Sequence, residues 1–186
     1  MKKLVVFDLD DTLFKIDHSK LTVNVVDQSN TIVETIPYNQ YKLAGAPHKP
    51  PQDNLRYCFK QFESSSQFAT TATPNDLIIS MLQFYAKQPN TTVEILTARS
   101  DFDCVNTFGD FLKEHGIDIY NTKVRRAGNL KTNTNAADRK YIILKQQLIS
   151  NKYDEVLMFD DCKQNIAMLD VLQNDFPSTT FKGVLV

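Results

Sequence analysis

The sequence predicts an α/β fold, a mostly parallel sheet with helices on both faces, from three observations. Apolar, β-branched runs end abruptly in polar residues at LVVFDLDDT, VEILTARS and VLMFDD. From residue 74 onward such runs alternate with segments of helical period, the signature of β-α units. Residues 15–71 break that rhythm, which predicts a core of 1–14 and 72–186 interrupted by an inserted unit of 15–71.

Residues 3–8 contain no turn residue before Asp8, as a strand buried on both faces requires. LTVNVVDQSNTIVETIPY holds two alternating segments about Asp27-Gln28-Ser29-Asn30, a predicted β-hairpin. Gly45, Pro47, Pro50 and Pro51 mark 39–51 as loop. In DNLRYCFKQFE, Leu55, Phe59 and Phe62 recur at helical spacing, which predicts a short amphipathic helix. In TPNDLIISMLQFYAK, Thr73 is placed to cap a helix, Pro74 suits its first position, and Leu77, Ile78, Met81, Leu82 and Tyr85 form its buried face. After VEILT, Ser100 is the expected cap of the next helix and Gly116 its terminator. A strand at 122–126, helices at 135–150 and 163–173, the strand EVLMFDD and a last strand FKGVLV complete the order.

At 186 residues and 42% hydrophobic, the chain can bury one sizeable core. A net charge of −1 gives no general attraction to nucleic acid or anionic membranes. Cys58, Cys104 and Cys162 are scattered and odd in number, which argues against a disulfide framework and for a reducing, cytoplasmic setting. The apolar run after Met1-Lys2-Lys3 stops at Asp8, too short for an export signal, and no segment reaches membrane-spanning length.

Three carboxylates, Asp8, Asp10 and Asp11, close a run that should be buried. Ionised carboxylates repel one another and are costly to dehydrate, so a positive partner is required. Ligands of open α/β sheets bind outside the carboxyl ends of the strands, which brings Asp8, Asp10, Thr97, Asp160 and Asp161 to one edge if their strands are neighbours. Asp8 and Asp10, two apart, share a side of an extended segment, and with Asp160 or Asp161 they form an oxygen-rich pocket suited to Mg2+. A calcium loop beginning at Asp8 is excluded, because it needs Gly and Glu where Leu13 and Ser19 stand.

These residues resemble the haloacid dehalogenase-like phosphohydrolases. The first motif of that family, an apolar strand running into DxDxT, stands here as Asp8-Leu9-Asp10-Asp11-Thr12. The second, a strand ending in Thr or Ser, matches VEILT with Thr97, and the fourth, a strand ending in paired acids, matches VLMFDD with Asp160 and Asp161. The third is a basic residue near the start of the preceding helix, for which Lys140 is the best match and Lys131 the alternative. TARSDFD, VRRAGN and FDDCKQN are similar to a branch of the family found in phages. The resemblance implies a Rossmann-like core in which 15–71 is a small cap with a β-hairpin and a helix.

It also implies a Mg2+-dependent phosphomonoester hydrolase acting on a phosphorylated small molecule, a nucleotide or a nucleic-acid end. The sequence itself points to neither a membrane nor an obligate protein partner. Asp8 would be the nucleophile, and Asp10 would protonate the leaving oxygen and then activate water. Asp8, Asp10 through its carbonyl and Asp160 would hold the metal, and Asp161 would bind it through water or orient its neighbours. Lys140 would supply compensating charge, and Thr97 would donate to a phosphoryl oxygen. Compensation is needed, because two like unit charges ~4 Å apart at an effective dielectric of ~20 repel by about 4 kcal/mol.

Other positions keep two readings. Thr12 braces the turn or contacts substrate, and Asn165 reaches the acid pair or caps locally. Arg99 is a substrate-binding candidate or a surface charge, and Asp101 is a helix cap or part of a loop over the site. Arg126, within KVRRAGNLK, belongs to a solvated basic run or takes a second phosphate or a nucleic-acid end. Arg56, Tyr57 and Phe59 select substrate or pack the insertion. His18, His48 and His115 show no ligand spacing, and Cys162 reads as a helix-start residue. Asp11 is assigned a local turn or cap role. Two other classes compete: a phospho-accepting signalling module and a non-catalytic binding protein that keeps the metal site. Receiver-type modules carry the acid pair on the first strand, whereas here it is late.

Overall fold

The computed structural model describes residues 1–45, 50, 52–130, 132 and 134–186. Lys131 and His48 lie outside the described residues, as does part of the expected 39–51 loop. In chain order the strands are β1 (Lys3–Phe7), β2 (Phe14–Ile16), β3 (Thr22–Val26), β4 (Ile32–Pro37), β5 (Arg56–Cys58), β6 (Ala72–Pro74), β7 (Thr91–Thr97), β8 (Lys123–Arg126), β9 (Glu155–Asp160) and β10 (Thr180–Leu185). The helices are α1 (Tyr38–Leu43), α2 (Ser65–Thr71), α3 (Asp76–Ala86), α4 (Val105–Glu114), α5 (Ala136–Ser150) and α6 (Lys163–Asp175). Two compact units result, one of residues 1–15, 74–101 and 109–186, the other of 16–73 and 102–108. Among the described residues no helix is long and apolar enough to cross a membrane.

The larger unit is built on a five-stranded parallel sheet in the order β10-β9-β1-β7-β8. β1 takes the centre because it has no polar side chain to expose after Lys3: Leu4, Val5, Val6 and Phe7 are all fully buried. Each such burial is worth roughly 1.5–3 kcal/mol. Alternation along the strands divides them between two faces. Leu4, Val6, Val156 and Met158 pack with Leu144 and Leu148 of α5 and Leu169 and Leu172 of α6. Phe7 stacks on Phe159 with ring centroids 4.7 Å apart, and Tyr85 of α3 lies against Phe159. Helices therefore flank both faces.

Two starts differ from the sequence expectation. Thr73 and Pro74 belong to β6, and Asn75 precedes α3 instead, its backbone N–H donating to Leu13 O and its side chain to Thr12 O. Leu77 is 71% exposed while Ile79 is buried, so the apolar stripe of α3 lies one position further round than its spacing suggests. α4 begins at Val105, not after Ser100; Gly116 ends it in the left-handed region at φ 74°. Asp11 also has a left-handed backbone, φ 61°, and its N–H bonds to Phe14 O. That is its role: Asp tolerates this conformation better than most residues, and the chain can turn sharply after Asp10.

The smaller unit carries the antiparallel sheet β4-β3-β5. Its hairpin turns where expected: Asp27 Oδ1 accepts from the backbone N–H groups of Ser29 and Thr31, and Asn30 takes φ 65°. The amphipathic helix expected across Leu55, Phe59 and Phe62 is not formed. Arg56–Cys58 pairs with Asn24–Val26 as a third strand, and only Lys60–Glu63 coils, as a 3-10 turn. The aromatic spacing serves a cluster instead, in which Tyr41 meets Tyr57 and Phe59 edge-on and Tyr38 meets Phe62. α1 forms inside the expected loop, and α2 arises from the polar SSSQ tract with Ser64 as its cap.

Candidate functional site

Parallel pairing in register sets Phe7 beside both Ile95 and Phe159, so the residues that follow emerge together at the carboxyl edge of the sheet. The N–H of Asp8 donates to Phe159 O at 2.9 Å, which brings Asp8 alongside Asp160. On the other side, Thr97 closes β7 in register with Arg126 at the end of β8. Asp8, Asp160 and Asp161 each offer a carboxylate oxygen, all within 4.8 Å of one another, an arrangement that could hold a metal ion. Asp8 is 5% exposed and Asp160 fully buried.

Lys140 answers the question of the positive partner. α5 is capped by Asn135, whose side chain accepts from Asp138 N, and Lys140 on its second turn is only 1% exposed. Its Nζ donates to Asp8 Oδ1 at 2.6 Å and to Asp160 Oδ2 at 2.7 Å. Asp160 Oδ1 is also occupied, by the N–H of Cys162 at 2.9 Å and Asn165 Nδ2 at 2.8 Å. Asn165 thus reaches the acid pair, and Cys162 is the residue before α6, contributing backbone. Short N–H···O contacts between charged groups are the stronger kind of hydrogen bond, and here they fix both carboxylates.

Burial, together with Asp160 and Asp10, pushes the Asp8 carboxyl up to about 8 against the pull of Lys140. For Lys140, burial acts downward, but Asp8 and Asp160 more than reverse it, so the ammonium is held charged. From near 3.8 up to about 8 the folded, metal-free chain keeps a proton on Asp8 that the unfolded chain has lost. Its stability therefore falls as pH rises through that window, by up to ~1.4 kcal/mol per pH unit. Urea unfolding in chelator at pH 5, 6, 7 and 8 should show this decline, and Asp8→Asn should flatten it.

Asp10 is held separately. Arg99 grips it as a fork, Nε lying 3.0 and 2.9 Å from its two oxygens and Nη2 2.7 Å from Oδ1. Thr97 Oγ1 makes a longer contact, 3.5 Å, to Asp10 Oδ2 and accepts the N–H of Arg99 at 3.1 Å. Arg99 is 5% exposed, so the surface-charge reading does not hold. Thr12 is fully buried, its carbonyl accepts from Asn75, and its hydroxyl has no hydrogen-bond partner among the described residues.

Asp101 caps no helix: α4 starts four residues later, and Asp101 instead takes Arg126 Nε at 3.1 Å. Arg126 is thus not a solvated member of a basic run, and neither is Arg125, which pairs with buried Glu94. No family model, curated protein or solved structure matches this chain.

Sequence reasoning missed Asn75 and the segment 127–129 that meets the Arg99 loop. Gly128 N–H donates to Arg99 O at 3.1 Å, and Asn129 Oδ1 accepts the N–H of Asp101 at 3.0 Å. For Gly128 and Asn129 the one sequence signal is the motif VRRAGN, and Asn75 carries none.

Proposed function

We propose that the chain is a haloacid dehalogenase-like phosphomonoester hydrolase that forms a phosphoryl-enzyme on Asp8. The observation that carries this reading is the buried bridge from Lys140 to both Asp8 and Asp160, at 2.6 and 2.7 Å, beside the third acid Asp161. An Asp8 oxygen attacks phosphorus, the bond to the leaving oxygen breaks, and Asp10 gives that oxygen a proton. Asp10 then takes a proton from the water that attacks the phosphoryl group, and phosphate and free Asp8 result. In this reading Thr97, Thr12, Arg99 and Arg126 contact the phosphoryl group; Thr97 and Arg99 stand beside Asp10, the Thr12 hydroxyl has no partner among the described residues, and Arg126 ends the neighbouring strand.

The donor set fits Mg2+. It is all oxygen, and three carboxylates against one ammonium leave two negative charges where Asp8 otherwise retains a proton. Asp8, Asp160 and Asp161, with the Asp10 carbonyl, would hold it. When bound, it supplies the positive charge that lets a carboxylate approach a phosphate dianion.

The substrate class in this reading is a phosphorylated small molecule, a nucleotide or a nucleic-acid end, in a reducing cytoplasmic setting. A screen of nucleotides, sugar phosphates and 3′- or 5′-phosphorylated oligonucleotides should show phosphate release that requires Mg2+ and stops on chelation. Release indifferent to Mg2+ across the screen would overturn the metal assignment. A second reading, a phospho-accepting or non-catalytic module, is favoured by one observation: the Arg99 fork takes both oxygens of Asp10, the group that must activate water. Phosphate taken up on Asp8 without turnover would select it.

A further inference from the structure

We propose that Gly128 and Asn129 form a clamp that positions Arg99 on Asp10, so that the VRRAGN segment acts on the site through the backbone of residues 98–101. The proposal rests on the hydrolase reading for its kinetic consequence and on geometry alone for its structural one. A Cβ at Gly128 would lie 2.5 Å from the carbonyl carbon of Arg99, 2.6 Å from Ala98 O and closer still to Ser100 N. All three are backbone atoms, which cannot swing aside as a side-chain end can. Only glycine lets the two loops approach, and in that approach its N–H reaches Arg99 O at 3.1 Å.

Two further ties act on the same loop. Asn129 Oδ1 accepts the N–H of Asp101 at 3.0 Å, and Arg126 Nε meets the Asp101 carboxylate at 3.1 Å. The gripped loop begins at Thr97, whose hydroxyl accepts the N–H of Arg99, and it carries the fork that holds both Asp10 oxygens. Gly128 and Asn129 are therefore positioning residues: they touch backbone, not reacting groups. The Arg126 guanidinium supplies a third tie, to Asp101.

The test compares the wild-type chain with Gly128→Ala, Asn129→Ala, Arg99→Ala and the double variant Gly128→Ala/Arg99→Ala. The first readout is structural: the Nε–H NMR signal of Arg99, assigned by its loss in Arg99→Ala, with its exchange rate. Gly128→Ala should shift this signal and speed its exchange, and Asn129→Ala should do so to a smaller degree. The second is kcat and KM for Mg2+-dependent phosphate release from an aryl phosphate. Relieving these overlaps moves the backbone that carries Arg99, which should lower kcat/KM on the order of 10- to 100-fold in Gly128→Ala. Because the clamp works through Arg99, the double variant should lose no more than Arg99→Ala alone. An unchanged Arg99 signal in Gly128→Ala, or losses that multiply in the double variant, would overturn the proposal. Should Gly128→Ala not fold, Asn129→Ala is decisive: an altered Arg99 signal supports the clamp, and an unaltered one refutes it. Absence of phosphate release from the wild-type chain would count against the hydrolase reading, while the NMR arm still decides the clamp.

Discussion

Asp8→Asn is expected to abolish Mg2+-dependent phosphate release, by on the order of 10⁴-fold or more, in a chain that remains folded. The substitution keeps shape and leaves an oxygen to accept from Lys140, which donates to Asp8 at 2.6 Å. It removes only the ionisable oxygen that would attack phosphorus. Because Asp8 is buried against Asp160, the variant also loses a like-charge contact, and in chelator at pH 8 it should unfold at the same or a higher urea concentration than wild type. Loss of activity together with loss of folding would not meet this expectation. The two measurements, initial rate and urea midpoint, are made on the same preparation.

Lys140→Met should have the larger effect on stability. Wild-type Lys140 is 1% exposed and bridges two carboxylates that are themselves buried, so removing it leaves Asp8 and Asp160 facing each other without a cation. Breaking a buried ion pair by deleting one partner typically costs about 3–5 kcal/mol, because the remaining charge stays dehydrated. Well above pH 8, where Asp8 would otherwise give up its proton, combining it with Asp8→Asn removes one of the stranded charges, so the double variant should recover part of that loss, a coupling of roughly 0.5–3 kcal/mol. Urea midpoints at constant slope measure both numbers. Strictly additive losses would show that Lys140 stabilises the fold by packing alone.

The sequence made some of this legible and hid the rest for physical reasons. β1 and β9 were readable because a strand buried on both faces needs an unbroken apolar run, which LVVF and VLMF provide. Thr97, Asp160 and Asp161 followed from where such runs stop. That Asp8 stands beside Asp160 was not in either segment: it follows from the register of two strands about 150 residues apart. Arg99 looked like any loop arginine, since nothing local distinguishes an exposed guanidinium from one forked on a carboxylate 89 residues away. The false helix at 55–62 arose because Leu55, Phe59 and Phe62 have helical spacing, while the partner that makes Arg56–Cys58 a strand is distant β3. α1 and α2, of six and seven residues, are too short to show a period.

The most direct test of the account is fluorine NMR of the chain with beryllium trifluoride, which mimics a phosphoryl group on a carboxylate and needs no knowledge of the substrate. Wild type should give a bound, slowly exchanging signal that requires Mg2+ and is absent in Asp8→Asn. A wild-type chain with no Mg2+-dependent bound signal, or the same signal in Asp8→Asn, would contradict it.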